Sequence, residues 1–271
     1  MADTPQNPLS RPDPWDNVSE AYTRELLPLF ALYSRDALDR ADMPANPRIA
    51  DIAAGPGTLS IMAAEQGARV SAIDFSEPML AQFRQRAASK NLTTQIEIHH
   101  GDGQKLPFES DSYDAAFSMF GLIFFPDRIA GFRELHRILK PGRRAIVASW
   151  APFEGVFGIM IDIVRSHVPT IPFGQGQAPL GNPDDYHREM KEAGFAHVAV
   201  ETIPHDLEAP SAEEFWASVQ RTNVAIIMLR QKVGEETWKI MSPSILGTLQ
   251  QKLGTGPIAV RARAHLGIGT R

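Results

Sequence analysis

The stretch Asp51-Ile52-Ala53-Ala54-Gly55-Pro56-Gly57-Thr58 decides how this chain is read. It lies where a short apolar strand pattern (48–53) gives way to a helical one (58–66), which Gly67 stops. At such a turn, glycine lets the backbone approach a ligand with no Cβ in the way, and the start of the helix offers free N–H donors. Nineteen residues after Gly55 comes Asp74, the last residue of a second strand pattern, Arg69–Asp74. A carboxylate at that point can accept hydrogen bonds from ribose hydroxyls. These features fit any cofactor that contains a nucleoside.

Working outward, Ser76 reads as an N-cap, with Glu77 and Pro78 in the first turn of a helix over 77–90. Residues 95–99 and Tyr113–Met119 alternate as strands; 128–139 is helical and closed by Lys140-Pro141-Gly142; 144–150 is a fifth strand. Strands alternating with helices at this spacing imply right-handed crossovers and a mostly parallel sheet, hence a doubly wound α/β fold. Beyond Trp150 come an apolar helix (153–168), a Pro/Gly-rich loop (169–183), a helix (184–193) and a sixth strand (196–203). Residues 211–253 read as two or three helices opened by the capping box Ser211-Ala212-Glu213-Glu214, and 258–268 as a final strand. Upstream, residues 1–14 hold four prolines and read as a flexible or extended arm. Val18, Tyr22, Leu26, Leu29, Leu32 and Tyr33 then fall at helical spacing. Pro28 divides that run into two helices and sits in the first turn of the second.

Two features narrow the cofactor. A dinucleotide fold wants G-x-G-x-x-G; with Gly55 as the second glycine, Ala53 and Thr58 occupy the other two positions and both fail. Second, Gly101-Asp102-Gly103 follows the third strand, where a carboxylate can accept from an adenine amino group and Gly103 lets a backbone N–H approach the ring. In order along the chain, segment 51–57, Asp74-Phe75-Ser76, Gly101-Asp102-Gly103, DSYDAAF (111–117) and RELHRILKPG (133–142) resemble the successive motifs of class I S-adenosylmethionine-dependent methyltransferases. The resemblance is strongest to the ubiquinone/menaquinone C-methyltransferase-like branch of small-molecule enzymes. It covers residues 47–150, and Lys191-Glu192-Ala193-Gly194-Phe195 extends it.

That resemblance implies a Rossmann-like, seven-stranded, mostly parallel sheet in a single methyltransferase domain over 15–271. Within it, 15–46 would be N-terminal helices, 47–150 the cofactor-binding core, 151–182 and 208–255 a helical cap, and 183–207 with 256–271 the rest of the sheet. It implies S-adenosylmethionine as cofactor and S-adenosylhomocysteine as product. The turn carrying Asp51, Ala53, Gly55 and Gly57 would cradle the methionine portion and the ribose face, and Asp74 would bind the ribose diol. Phe75 and Met79 would pack on the adenine, and Asp102 would take its amino group with Gly103 and Gln104 alongside. The backbone at Ser118, Met119 and Phe120 would meet the methionine amino group, and Tyr22 resembles an aromatic that closes over the cofactor. Ala53 departs from the family's usual glycine; a positive φ there would cost ~1–2 kcal/mol.

Composition excludes other classes. The net charge of −5, with Lys and Arg interleaved among Asp and Glu, argues against a nucleic-acid partner. The absence of cysteine removes disulfides, thiolate metal sites and cysteine nucleophiles, and no His or carboxylate spacing suggests a metal. None of the eight histidines stands out as a base, so no catalytic residue is assigned. Ser118-Met119-Phe120-Gly121 lacks the Asn/Asp-Pro-Pro-aromatic tetrad of enzymes that grip planar nitrogens. The apolar cap segments favour a small, partly apolar organic acceptor, leaving open whether O, N or C is methylated and what the oligomeric state is. A polar N-terminus and no apolar run of ~18–20 residues lead to the expectation of a cytoplasmic protein without a membrane partner. The alternative is a protein of the same fold that holds the cofactor without catalysis, as a regulator or scaffold. A nicotinamide oxidoreductase is disfavoured by the failed glycine pattern.

Overall fold

A computed structural model describes residues 7–168 and 178–271. Its strands are β1 (Arg48–Ile52), β2 (Arg69–Asp74), β3 (Ile96–His100), β4 (Tyr113–Met119), β5 (Leu139–Trp150), β6 (His197–Ala209) and β7 (Ile258–Thr270). The helices are α1 (Asp13–Asp16), α2 (Ser19–Glu25), α3 (Leu27–Arg40), α4 (Thr58–Glu65), α5 (Glu77–Ser89), α6 (Arg128–Ile138), α7 (Gly155–His167), α8 (Pro183–Glu192), α9 (Ala212–Thr222), α10 (Val224–Val233) and α11 (Glu235–Leu253).

All seven strands form one sheet ordered β3-β2-β1-β4-β5-β7-β6. Strands β1 to β5 pair in parallel, and β7 runs antiparallel between β5 and β6. The order turns back between β1 and β4, and it is outside the carboxyl ends of strands at such a switch point that open α/β sheets bind ligands. The two faces are covered separately, as the period-two alternation of strand side chains requires. Ile49, Phe117 and Ile146 bury against α3, α4 and α5, whereas Ile52, Ala116 and Val147 bury against α6 and α8. Pro28 does divide the N-terminal run: α2 ends at Glu25 and α3 accepts the proline in its first turn.

Besides the fifth strand, which starts at Leu139 rather than at 144 and so takes in Lys140-Pro141-Gly142, two expectations need correction. The sixth strand does not stop at Ile203 but runs through Pro204 to Ala209. As an edge strand, β6 has one side that needs no ladder hydrogen bonds, so proline is tolerated there. Its hairpin with β7 continues out to Ala209 opposite Ile258, past the point where β5 stops at Trp150 opposite Ala264. Helices α7, α9, α10 and α11 bury their apolar faces with this overhanging ribbon in a third core around Trp216, Trp238, Ile245 and Val260. The second correction concerns the arm. Residues 7–14 are not loose: Pro8–Ser10 forms a 3₁₀ turn, the Ser10 hydroxyl donates to the Phe124 carbonyl at 2.6 Å, and Trp15 Nε1 donates to Leu9 at 3.0 Å. Residues 1–6 of the arm and 169–177 of the Pro/Gly-rich loop lie outside the described residues. Among the described residues, no helix is long and apolar enough to cross a membrane.

Candidate cofactor site

A cleft of about 350 Å³ opens at the carboxyl ends of β1, β2 and β4, within the usual range for small-molecule sites. Its floor is the turn after β1 (Ala53, Gly55, Pro56) and the end of β2 (Ile73, Asp74, Phe75), with Met79 from α5. The loop after β3 adds Gly101, Asp102, Gly103 and Gln104, and the end of β4 adds Met119, Phe120 and Gly121. Phe124, Phe125 and Pro126 line one wall, and Ser10, Trp15 and Tyr22 close the N-terminal side.

The backbone is shaped for close approach. Gly55 has φ +54 and Gly57 has φ +75; Ala53 and Phe120, which are not glycines, are also left-handed at φ +57 and +61. The alanine at position 53 therefore does adopt the costly conformation, a penalty of about 1 kcal/mol or more that the surrounding structure must hold in place. Its methyl group is accommodated across the cleft: a Cβ on Gly121 would lie 2.3 Å from the Ala53 Cβ. Gly103 is constrained in the same way, because a Cβ there would meet Phe125 at 2.4 Å and Ile52 at 2.8 Å.

Asp74 is buried, with its carboxylate already oriented. The Gly55 N–H donates to one oxygen at 2.8 Å and the Ser76 N–H to the other at 2.9 Å. Burial raises its pKa, and the backbone donors from Ser76, Gly55 and Phe75 work against that rise. Each oxygen keeps a lone pair for a further donor, as a vicinal diol would supply. Burial, with the Asp74 charge nearby, pushes the Tyr22 hydroxyl well above the usual phenol range, so it stays neutral beside the carboxylate. Asp102 is exposed, and its carboxylate accepts from the Gln104 backbone N–H at 2.8 Å and from the Gln104 side-chain amide at 3.0 Å. Gln104 Oε1 in turn accepts from the Asp127 N–H at 2.9 Å, which pins this rim to the start of α6.

A model described as a methyltransferase domain matches residues 49–142. A demethylmenaquinone methyltransferase of Beutenbergia cavernae is 32% identical over 181 residues, covering 64% of this chain and 70% of that protein. The chain belongs to the class I S-adenosylmethionine-dependent methyltransferases. An uncharacterized protein of Mycobacterium tuberculosis is 38% identical over 124 residues, 46% of this chain and 44% of that protein. The chain thus spans about half the length of several curated relatives it matches. Among solved structures, a Haemonchus contortus phosphoethanolamine N-methyltransferase with S-adenosylhomocysteine bound superposes with a TM-score of 0.56 at 19% identity, covering 89% of this chain and 52% of that one.

For a methyltransferase, the cleft gathers most of the residues singled out by sequence: Tyr22, Ala53, Gly55, Asp74, Phe75, Met79, Asp102, Gly103, Gln104, Met119 and Phe120. Three stand behind it instead. Asp51 is buried beneath the turn and accepts from the Ser60 hydroxyl at 2.6 Å, tying β1 to α4; burial pushes its carboxyl up to about 7 against that hydrogen bond. Gly57 starts α4 and faces α5, where a Cβ would lie 2.1 Å from the Phe83 ring. The Ser118 hydroxyl, also buried, accepts from the Leu122 N–H at 3.1 Å and closes the turn after β4. Sequence reasoning missed Ser10, Ile73, Gly121 and Pro126. Ser10 sits in a proline-rich stretch that carries no periodic signal, and Gly121 declares itself only through its neighbour Ala53.

An aromatic chain leads from the cleft wall toward the cap. Tyr22 stacks on Phe30 at 5.2 Å, Phe30 meets Phe120 at 5.2 Å, and Phe120 lies 4.3 Å from Trp150 between ring centroids. The series continues through Phe153 and Phe157 to Phe215 of α9, at 6.4, 5.9 and 5.5 Å. Phe153 is 44% exposed, so the chain of rings reaches solvent.

Proposed function

We propose that this chain transfers the S-methyl group of S-adenosylmethionine to an O, N or C atom of a small, partly apolar organic acceptor. The observation that carries the acceptor class is the run of rings from Phe120 through Trp150 and Phe153 to Phe215, which adjoins the cofactor cleft at Phe120. Aromatic lining of this kind favours a partly apolar ligand, through burial and ring–ring packing. The cleft residues fit the cofactor: Asp74 offers oriented acceptor oxygens to a ribose, Gly103 leaves room that a Cβ would fill, and Tyr22 and Phe120 add aromatic lining, a surface that suits a sulfonium cation.

When bound, S-adenosylmethionine supplies an activated methyl carbon for in-line displacement. The chain's own contribution is to hold acceptor and cofactor in line and keep water out. A base is required only where the acceptor must lose a proton. The net charge of −5 supports a small-molecule partner over a nucleic acid, and we place the protein in the cytoplasm.

The test is incubation with methyl-labelled S-adenosylmethionine and a panel of hydroquinones, phenols, aromatic amines and charged polar amines. Label should pass to at least one aromatic acceptor, and Trp150→Ala should reduce that transfer tenfold or more. Binding of S-adenosylhomocysteine with no transfer to any acceptor would favour the non-catalytic reading. Transfer only to charged polar amines would overturn the acceptor class.

A further inference from the structure

The helix that brings Tyr22 to the cleft also carries Glu25, three residues on, and the Glu25 carboxylate engages α9 of the cap. Its carboxylate accepts from Arg221 Nε at 2.8 Å and Nη2 at 3.1 Å, one nitrogen on each oxygen, and from the Ser218 hydroxyl at 2.8 Å. Both partners are on α9, one turn apart, and Arg24 adds a fourth donor at 2.9 Å. Only 16% of the Glu25 side chain is exposed. An exposed ion pair contributes little, but a forked, half-buried carboxylate with a hydroxyl as a further partner is a fixed joint. The Arg221 hydrogen bonds hold the Glu25 carboxyl down to about 2, so the joint stays charged at ordinary pH.

A second contact of different chemistry lies beside it. Val224, Ile227 and Met228 of α10 pack against Val18, Trp15 and Tyr22. The α9–α10 pair therefore grips the N-terminal segment that closes the cleft. Helix α9 also carries Phe215, the last ring of the aromatic chain on the acceptor side. We propose that Glu25 is a positioning residue: it couples the segment closing over the cofactor to the acceptor-side cap, so that the cofactor product leaves only when the two part together. The proposal rests on the methyltransferase reading above.

The experiment measures release of radiolabelled S-adenosylhomocysteine from the full chain into excess unlabelled compound. Variants are Glu25→Gln, Arg221→Glu and the swapped pair Glu25→Arg with Arg221→Glu, and each melting temperature is recorded. Release from either single variant should be about tenfold faster than from the wild type, and the swapped pair should return it to within about threefold. A merely structural carboxylate would lower the melting temperature without this rescue. The coupling is overturned if both single variants release at the wild-type rate, or if the swapped pair releases as fast as the singles. Failure of the wild type to bind S-adenosylhomocysteine removes the methyltransferase reading itself, and the coupling with it.

Discussion

Between Arg48 and Trp150 the chain makes its site by bending the backbone, whereas between Gly155 and Leu253 it makes a cap by packing large side chains. In the first region, Ala53, Gly55, Gly57 and Phe120 are all left-handed, and Gly103 and Gly121 lie where a methyl group would collide. In the cap helices, the left-handed Gly155 and Gly234 stand at helix starts, where an added Cβ would meet nothing within 4 Å. What fixes the cap is volume and a few polar pins. Trp216 and Trp238 lie 6.0 Å apart; Trp216 Nε1 donates to Ser242 at 2.9 Å and Trp238 Nε1 to Gln220 at 3.1 Å. A site set by backbone shape tolerates few residue types at each bend. A cap set by volume tolerates many combinations of similar size.

Substitutions can break or sharpen this contrast. The largest effect is expected for Gly57→Ala, which places a methyl group into the Phe83 ring at a position with φ +75. Overpacking and the left-handed penalty together should cost about 4 kcal/mol, read by urea unfolding. A loss below about 1 kcal/mol would mean that α4 and α5 shift freely and that backbone shape does not define the site.

Next comes Asp51→Asn. Burial raises the Asp51 carboxyl to about 7, with the Ser60 hydrogen bond opposing, so the folded state holds its proton more tightly than the unfolded chain. Its stabilising contribution is complete below about pH 4 and is lost as pH rises through about 7. The wild type should therefore lose about 4 kcal/mol relative to Asp51→Asn across that window, measured by unfolding at each pH. Parallel curves would show that Asp51 is ionised without penalty beneath the turn.

The smallest effect belongs to the cap. Gly247 lies within α11, and a Cβ there would meet nothing within 4 Å. Gly247→Ala should stabilise by about 0.7 kcal/mol through helix propensity alone. The same added methyl group thus changes sign between the two regions; a destabilised Gly247→Ala would erase the contrast.

The contrast also explains what the sequence disclosed. The bounds of β2 and β4 were legible to the residue because turn chemistry brackets them: Gly67 before and Ser76 after one, Ser112 before and Gly121 after the other. Asp74, Asp102 and Gly103 could be placed because each sits at a strand end. Asp51, Gly57 and Ser118 belong to the same motifs yet face inward, and spacing does not say which way a side chain in a tight turn points. The cap's helices showed through their periodicity, but not their partners. Neither the overhang of β6 beyond Pro204 nor the joint between Glu25 and Arg221 could be read, since both depend on which elements become neighbours. Glu25 and Arg221 are 196 residues apart in the chain.

The central claim is that Asp74 anchors an adenosyl cofactor in the cleft of about 350 Å³. Calorimetric titration of S-adenosylhomocysteine, S-adenosylmethionine and NADH into wild type and Asp74→Ala tests it most directly. The account predicts micromolar binding of both adenosyl compounds, weakened about 100-fold or more in the variant, and none of NADH. Folded wild-type protein that binds neither adenosyl compound, or an Asp74→Ala variant that binds them as tightly as wild type, would contradict it.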